Sequence, residues 1–168
     1  MSSRSYVQGS SSKLRQGRIS QDYACYVISK AALHRRKVLA SDRCAKIVLD
    51  SWRYLREHDR IKLFAFCIMP DHYHLAFCLM PGECVSKLLE DSNKFTAREL
   101  NKLWGRMGQF WQEGFHDRNC RNDTELHELC LYIEHNPVRA GLVKSADEWP
   151  YSSAHLVNRS MLDCEWWP

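Results

Sequence analysis

Met69-Pro70-Asp71-His72-Tyr73-His74-Leu75 lies inside an apolar run from Phe64 to Met80. In a β-strand, residues i and i+2 point to the same face. His72 and His74 therefore project side by side, with Tyr73, Leu75 and Phe77 on the other face. Two parallel imidazoles make half of a metal site. The Pro70-Asp71 pair breaks the run into strands at 62–68 and 72–79, because proline cannot serve a central hydrogen-bond ladder. Pro81-Gly82 ends the second strand, and two strands joined so tightly pair antiparallel.

Working outward, Tyr23 to Ser29 is β-rich and apolar, which predicts a first strand. Arg35, Arg36 and Lys37 follow in a loop-like segment. Ser41-Asp42 can cap a helix from about Arg43 to Glu57, in which Ala45, Val48, Leu49, Trp52 and Leu55 keep helical spacing. A second helix is predicted from about Val85 to Trp104, its buried side formed by Leu88, Leu89, Phe95, Leu100 and Leu103. Strand, helix, strand, strand, helix is the split βαβ order of a ferredoxin-like fold. The fold class is therefore α+β, a βαββαβ sandwich with an antiparallel sheet.

Gly108 to Gln112, with Phe115-His116, reads as a short aromatic strand or turn. Asn122 with Glu125 three residues later starts a helix in capping-box fashion. That helix runs to about Asn136, because Pro137 disfavours helical geometry in the residue before it. Val138 to Val143 is a turn around Gly141, and Trp149 to Ser153 packs back on the domain. One domain over residues 21–155 results. It is preceded by a flexible, basic, Ser-rich arm at 1–20 and followed by a tail at 156–168. The tail's Glu165-Trp166-Trp167-Pro168 is too apolar to hang free and docks on the protein or on a ligand.

A chain of 168 residues with 45% apolar content fits one globular core, and a net charge of +4 is compatible with a nucleic-acid partner without proving one. No apolar run approaches the roughly 18 residues of a membrane span, and no signal peptide is recognisable. The eight cysteines are scattered, with no CxxC pair, as expected of reduced thiols in a cytoplasmic protein. The competing reading is a structural zinc site in which Cys67, Cys78 or Cys84 joins the histidines. Lys94, Arg98, Lys102 and Arg106 recur every fourth residue along the second helix. Such a stripe is commonly a solvated face. With few acidic residues inside it, these four are the candidates for contact with DNA phosphates. Phe110, Trp111, Trp166 and Trp167 are core residues or platforms for base stacking.

The second chemical stretch is Tyr132-Ile133-Glu134-His135-Asn136-Pro137. Four residues apart, Tyr132 and Asn136 share one helix face, at the edge of the stripe formed by Leu126, Leu129, Cys130 and Ile133. Two imidazoles and one carboxamide oxygen make three ligands with room for phosphate oxygens and water. A tyrosine hydroxyl beside such an ion can serve as nucleophile. Each part alone has a plainer meaning: an HxH on a strand is commonly structural, and a tyrosine before a helix end commonly only packs. Asp71 and Glu134 have no assigned role, and His135 points away from Asn136.

Together, M-P-D-H-Y-H-L at 69–75, F-W-Q at 110–112, Y-I-E-H-N-P-V-R-A-G-L-V at 132–143 and W-P-Y-S-S at 149–153 resemble the single-tyrosine, His-hydrophobe-His (HUH) transposases. The resemblance covers roughly residues 21 to 155 and is strongest with the REP-associated tyrosine transposases of the IS200-like group. It implies the HUH nuclease fold, with His72, His74 and Asn136 as ligands of Mg²⁺ or Mn²⁺ and Tyr132 as nucleophile. It also implies a metal-dependent endonuclease and strand transferase acting on single-stranded DNA that carries a hairpin, a REP-type palindrome, through a covalent 5′-phosphotyrosine. A hairpin-binding protein of the same fold with weak catalysis is the alternative. The family is bacterial, which implies a cytoplasmic protein associated with the nucleoid, and a monomer with a dimer as the alternative. Tyr73 departs from the aliphatic residue usual between the histidines.

Overall fold

The computed structural model describes residues 20–167. Its centre is an antiparallel sheet of order β2-β3-β1-β4, formed by β1 (Cys25–Ala31), β2 (Ile61–Ile68), β3 (His72–Leu79) and β4 (His116–Asn119). Since β1 and β2 both run antiparallel to β3, they are parallel to each other; β3 and β4 are related in the same way through β1. Each parallel pair needs a crossover, and right-handed crossovers in these two places put both helices on one face. These are α1 (Asp42–Glu57) and α2 (Val85–Leu103). The other face is left for α3 (Asp123–Glu134), followed by the one-turn α4 (Asn136–Arg139). The order and pairing are those of the expected ferredoxin-like sandwich.

The core divides accordingly. Trp52, Val48, Leu88 and Leu89 pack with Tyr73, Leu75 and Phe77 on the α1/α2 side. Leu126, Cys130 and Ile133 pack with Ala65, Cys67, Ala76 and Cys78 on the α3 side. The period of two along β3 thus puts His72 and His74 on the α3 side, opposite Tyr73 as expected from the sequence. In β2 the register slips between Leu63 and Ala65, a bulge that turns Phe64 and Ala65 both toward α3.

Several boundaries differ from the sequence reading. The first strand starts at Cys25, two residues later than expected, because Tyr23 sits in the left-handed region with φ 61°. The fourth strand is His116–Asn119, a polar segment without strand-like alternation. It lies at the sheet edge, where side chains face solvent and hydrophobic patterning is not required. The aromatic stretch before it makes only an isolated bridge, Trp111 to Ala32. Pro137 does not stop the helical path. His135 keeps φ −86° and ψ −1°, and Pro137 falls in the first turn of α4, where a missing N–H costs little. Gly141, at φ 68°, closes α4: its N–H bonds to Val138 O and that of Leu142 to Pro137 O, a Schellman ending. Phe95, expected inside, is exposed beneath Arg98.

The segment set apart as a tail is part of the folded body. Met161 and Leu162 join the α1/α2 core. Asp163 is buried, accepting from Leu63 N–H at 2.7 Å and from Arg56 Nε at 3.0 Å. Trp167 meets Phe64 edge-on and Trp166 stacks on Tyr23. The arm expected at 1–20 lies, apart from Ser20, outside the described residues. The Trp149–Ser153 stretch covers the free edge of β2: Ile68 N–H donates to Tyr151 O, Ser153 N–H to Phe66 O, and Trp149 Nε1 to Ile68 O. An edge so covered is closed to strand addition.

Candidate active site

The histidine pair is assembled by the strand pleat. His72 and His74 lie opposite Ala31 and Ser29 of β1, and their Nε2 atoms converge to 3.1 Å. That spacing lets both nitrogens reach one ion at the roughly 2.1 Å usual for imidazole ligands. His72 Nδ1 lies 2.6 Å from Asp71 Oδ1. With the proton on Nδ1, donated to the carboxylate, the Nε2 lone pair is left for a metal. Burial, then the neighbouring His72 and Arg35, push the His74 imidazole down to about 4, so that ring is neutral near pH 7.

Tyr132 and Asn136 come from the last turn of α3 and the start of α4. Packing of Leu126, Cys130 and Ile133 on the sheet sets that helix over β2 and β3, with Tyr132 at the margin and 44% exposed. Its ring meets His74 edge-on at 6.5 Å between centroids. The Arg139 guanidinium, two turns on, lies over the Tyr132 ring, 4.5 Å from its centroid. Asn136 Nδ2 donates to Tyr132 O at 2.9 Å, which ties the carboxamide nitrogen to the helix. His135 is exposed and bonds back to Leu131 O, away from the pair. Glu134 instead points inward, accepts from Ser153 Oγ at 2.8 Å, and joins α3 to the segment covering β2.

His72, His74, Tyr132 and Asn136 line one cleft of about 500 Å³. Its opposite wall is the 112–116 segment, held by buried Lys30, whose Nζ donates to Gln112 O and Gly114 O, each at 2.5 Å. Burial lowers the Lys30 pKa, and the two carbonyls take the place of water around its ammonium. Arg35 also lines the cleft, its Nε 3.3 Å from Asp71 Oδ2.

Asp71, which holds His72 from beside the cleft, and Arg35, which lines it, had no role in the sequence reading, nor had Glu113 and His116 of the opposite wall. Asp71 is signalled only by standing next to His72; nothing local couples Arg35 to either. Among the described residues no third His, Cys, Asp or Glu joins the two histidines in an arrangement suited to a metal. The ligand-type side chains that share the cleft, and could hold a divalent ion, are the two imidazoles and the Asn136 carboxamide. The cysteines of the zinc reading do not join them. Cys67 stands opposite His74, but it is fully buried in the apolar layer under α3 with Ala65 and Ala76. Cys78 lies at the other end of β3 beside Cys25, and Cys84 is exposed before α2.

The structure does not bring the basic stripe to this cleft. Lys94, Arg98 and Lys102 lie exposed on α2, across the sheet from Tyr132, and Arg106 follows in the turn after it. Lys94 pairs with Glu90, and Arg98 with Glu99 at 2.8 Å. Phe110 and Trp111 are buried, and Trp111 Nε1 donates to Thr96 Oγ1, so they hold the core. Trp166 and Trp167 likewise pack on the protein.

A family model described as "Transposase IS200 like" matches residues 21–136, and the chain belongs to that family. Among the proteins it is similar to are two that carry the name REP-associated tyrosine transposase. The Escherichia coli K12 protein of that name is 29% identical over 138 residues, covering 74% of this chain and 78% of the relative. A Haemophilus influenzae protein provisionally given the same name is 27% identical over 156 residues, covering 83% of this chain and 89% of the relative. The fold matches that of a solved REP-associated tyrosine transposase bound to a REP hairpin, with TM-score 0.69 and 21% identity over 89% of this chain and 88% of the other. Among the described residues no helix is long and apolar enough to cross a membrane.

Proposed function

We propose that this protein cuts and rejoins single-stranded DNA carrying a hairpin, with Tyr132 as nucleophile and His72, His74 and Asn136 holding a divalent ion, Mg²⁺ or Mn²⁺. The observation that carries the reading is convergence: a strand and a helix far apart in sequence bring a tyrosine hydroxyl, two imidazoles and a carboxamide to one open cleft. The family and the hairpin carried by the solved relative support the class of substrate. When bound, the ion supplies positive charge to the non-bridging oxygens of the phosphodiester.

The chain's own residues do the rest. The Tyr132 hydroxyl loses its proton to water and its oxygen attacks phosphorus. The P–O bond to tyrosine forms, the P–O3′ bond breaks, and the 3′ oxygen leaves and takes a proton from water. The 5′ phosphate remains on Tyr132 as an ester, so a 3′-hydroxyl can attack in turn and restore a strand without ATP. Asp71 keeps the His72 Nε2 lone pair aimed into the cleft, and the Asn136 nitrogen anchors its carboxamide.

The test is a denaturing gel of end-labelled hairpin single-stranded DNA mixed with the protein and Mn²⁺ or Mg²⁺, with Tyr132→Phe alongside. A metal-dependent adduct that survives denaturation and vanishes in Tyr132→Phe is expected. Binding on a native gel with no adduct, for several hairpins and both metals, would make the protein a hairpin-binding module instead. An adduct persisting in Tyr132→Phe would assign the wrong nucleophile.

A further inference from the structure

Between β1 and α1 the chain makes a tight turn in which two consecutive non-glycine residues are left-handed, His34 at φ 57° and Arg35 at φ 54°. That region disfavours L side chains because Cβ crowds the following carbonyl, and arginine gains nothing locally by adopting it. The turn is nonetheless pinned on three sides. Leu33 N–H bonds to Phe110 O, Arg35 N–H to Ala32 O, and Leu39 N–H to Pro70 O. The neighbouring Ala32 N–H bonds to Asp71 O, which brings the turn against the residue before the histidines. Strain kept by such surroundings points to a use for the side chain that the strain aims.

The Arg35 side chain runs into the cleft. Its Nε approaches Asp71 Oδ2 at 3.3 Å, while Asp71 Oδ1 holds His72. The guanidinium is thus tethered at Nε, yet the side chain remains 56% exposed, which leaves it room to meet a ligand. It shares the cleft with Tyr132, His72, His74 and Asn136. A planar fork with one side anchored to a carboxylate and the other free is suited to the non-bridging oxygens of a phosphate. The α2 arginines and lysines lie across the sheet, and Arg139 is spread over the Tyr132 ring.

We propose that Arg35 is a catalytic residue that grips the phosphate attacked by Tyr132, an assignment that rests on the cleavage reading above. As the tyrosine P–O bond forms and the P–O3′ bond breaks, the guanidinium donates to the non-bridging oxygens and carries part of their growing negative charge. The left-handed turn and the Asp71 tether hold it in place before DNA arrives, so little ordering is left for the moment of reaction.

Arg35→Gly separates this role from a structural one, since glycine accepts a positive φ without strain. If Arg35 were there for the fold, its loss would lower the melting temperature. If it acts through Asp71 on His72, its loss would weaken Mn²⁺ binding measured by electron paramagnetic resonance. The proposal expects neither: melting unchanged or raised, and Mn²⁺ affinity within about twofold, while the adduct rate falls about 10²-fold, the loss usual for one transition-state donor. Arg35→Lys, which keeps charge without the fork, is expected to recover part of that rate. In a Tyr132→Phe background, fluorescence anisotropy with a labelled hairpin oligonucleotide should show the log–log salt slope of binding reduced by about 0.7 when Arg35→Gly is added, one single-strand phosphate contact.

An unchanged adduct rate with an unchanged slope overturns the proposal and leaves the function standing. So does a loss of rate that tracks lost melting temperature or lost Mn²⁺ affinity. A reduced slope with no adduct even in wild type keeps the phosphate contact and removes the cleavage reading. Wild type that binds no hairpin oligonucleotide removes both.

Discussion

Asp163→Ala tests whether the end of the chain belongs to the fold. Asp163 is 3% exposed and answers two groups at once. Leu63 N–H, in a fully buried residue of β2, donates to its Oδ2 at 2.7 Å, and Arg56 Nε of α1 donates to its Oδ1 at 3.0 Å. Alanine leaves the Leu63 N–H without that acceptor, which costs about 1–3 kcal/mol. Arg56, about a quarter exposed at 28%, regains water, so its lost pair adds only about 1 kcal/mol. The sum is about 2–4 kcal/mol, a large part of the 5–15 kcal/mol that holds a typical domain. For a chain of this length it lowers Tm by roughly 4–16 °C. Urea denaturation followed by circular dichroism measures the loss, and the cycle with Arg56→Ala separates the ion pair from the backbone bond. Asp163→Asn keeps an acceptor for Leu63 and should fall between alanine and wild type. A loss below about 1 kcal/mol for Asp163→Ala, with an unaltered denaturant slope, would refute the reasoning and return the segment to the status of a tail.

Three further outcomes are expected. Asp71→Asn removes the carboxylate that orients His72 and should weaken Mn²⁺ binding about 10–100-fold by titration calorimetry, with Tm little changed. Glu125 is expected to give an acid-dependent stability. Burial alone would raise its pKa, but hydrogen bonds from the Arg121 side chain and backbone, with Arg118, outweigh burial and hold it at about 2. Its contribution is therefore complete above the unfolded value near 4.5 and is lost as pH falls toward 2. The melting difference between wild type and Glu125→Gln should be constant at neutral pH and shrink below about pH 4.5. Finally, iodoacetamide should modify the native protein at exposed Cys84 and Cys164 and spare Cys67 and Cys120, whose burial pushes both thiols up to about 12. Mass spectrometry of the labelled peptides reads this directly.

How far the site could be read from residues alone depended on the range of each signal. Strand alternation put His72 and His74 on one face, and helical spacing put Tyr132 beside Asn136, because both depend on backbone geometry over a few residues. The cap at Asn122 was legible for the same reason: its Oδ1 accepts from Glu125 N–H at 2.8 Å. Arg35 was not legible, since its meeting with Asp71 requires the turn after β1 to lie against the turn before β3. Nor was β4, whose His-Asp-Arg-Asn text becomes a strand only because β1 presents an unpaired edge. The α2 stripe shows the converse failure. Its periodicity described the helix correctly and said nothing about which side of the sheet the helix would take.

By itself the sequence determined the local elements, the pairing of histidines on one strand face, the tyrosine and asparagine on one helix edge, and the family to which these motifs belong. Only the tertiary structure decided that α3 crosses the sheet on the histidine side and brings the Tyr132 ring to 6.5 Å from that of His74. It also decided that a strained turn lends Arg35 to the same cleft and that residues 156–167 close the body. The reason is physical. Periodicity records which side of an element is apolar, whereas the partner that covers it is set by crossover handedness, sheet order and packing volume, all properties of contacts between residues distant in the chain.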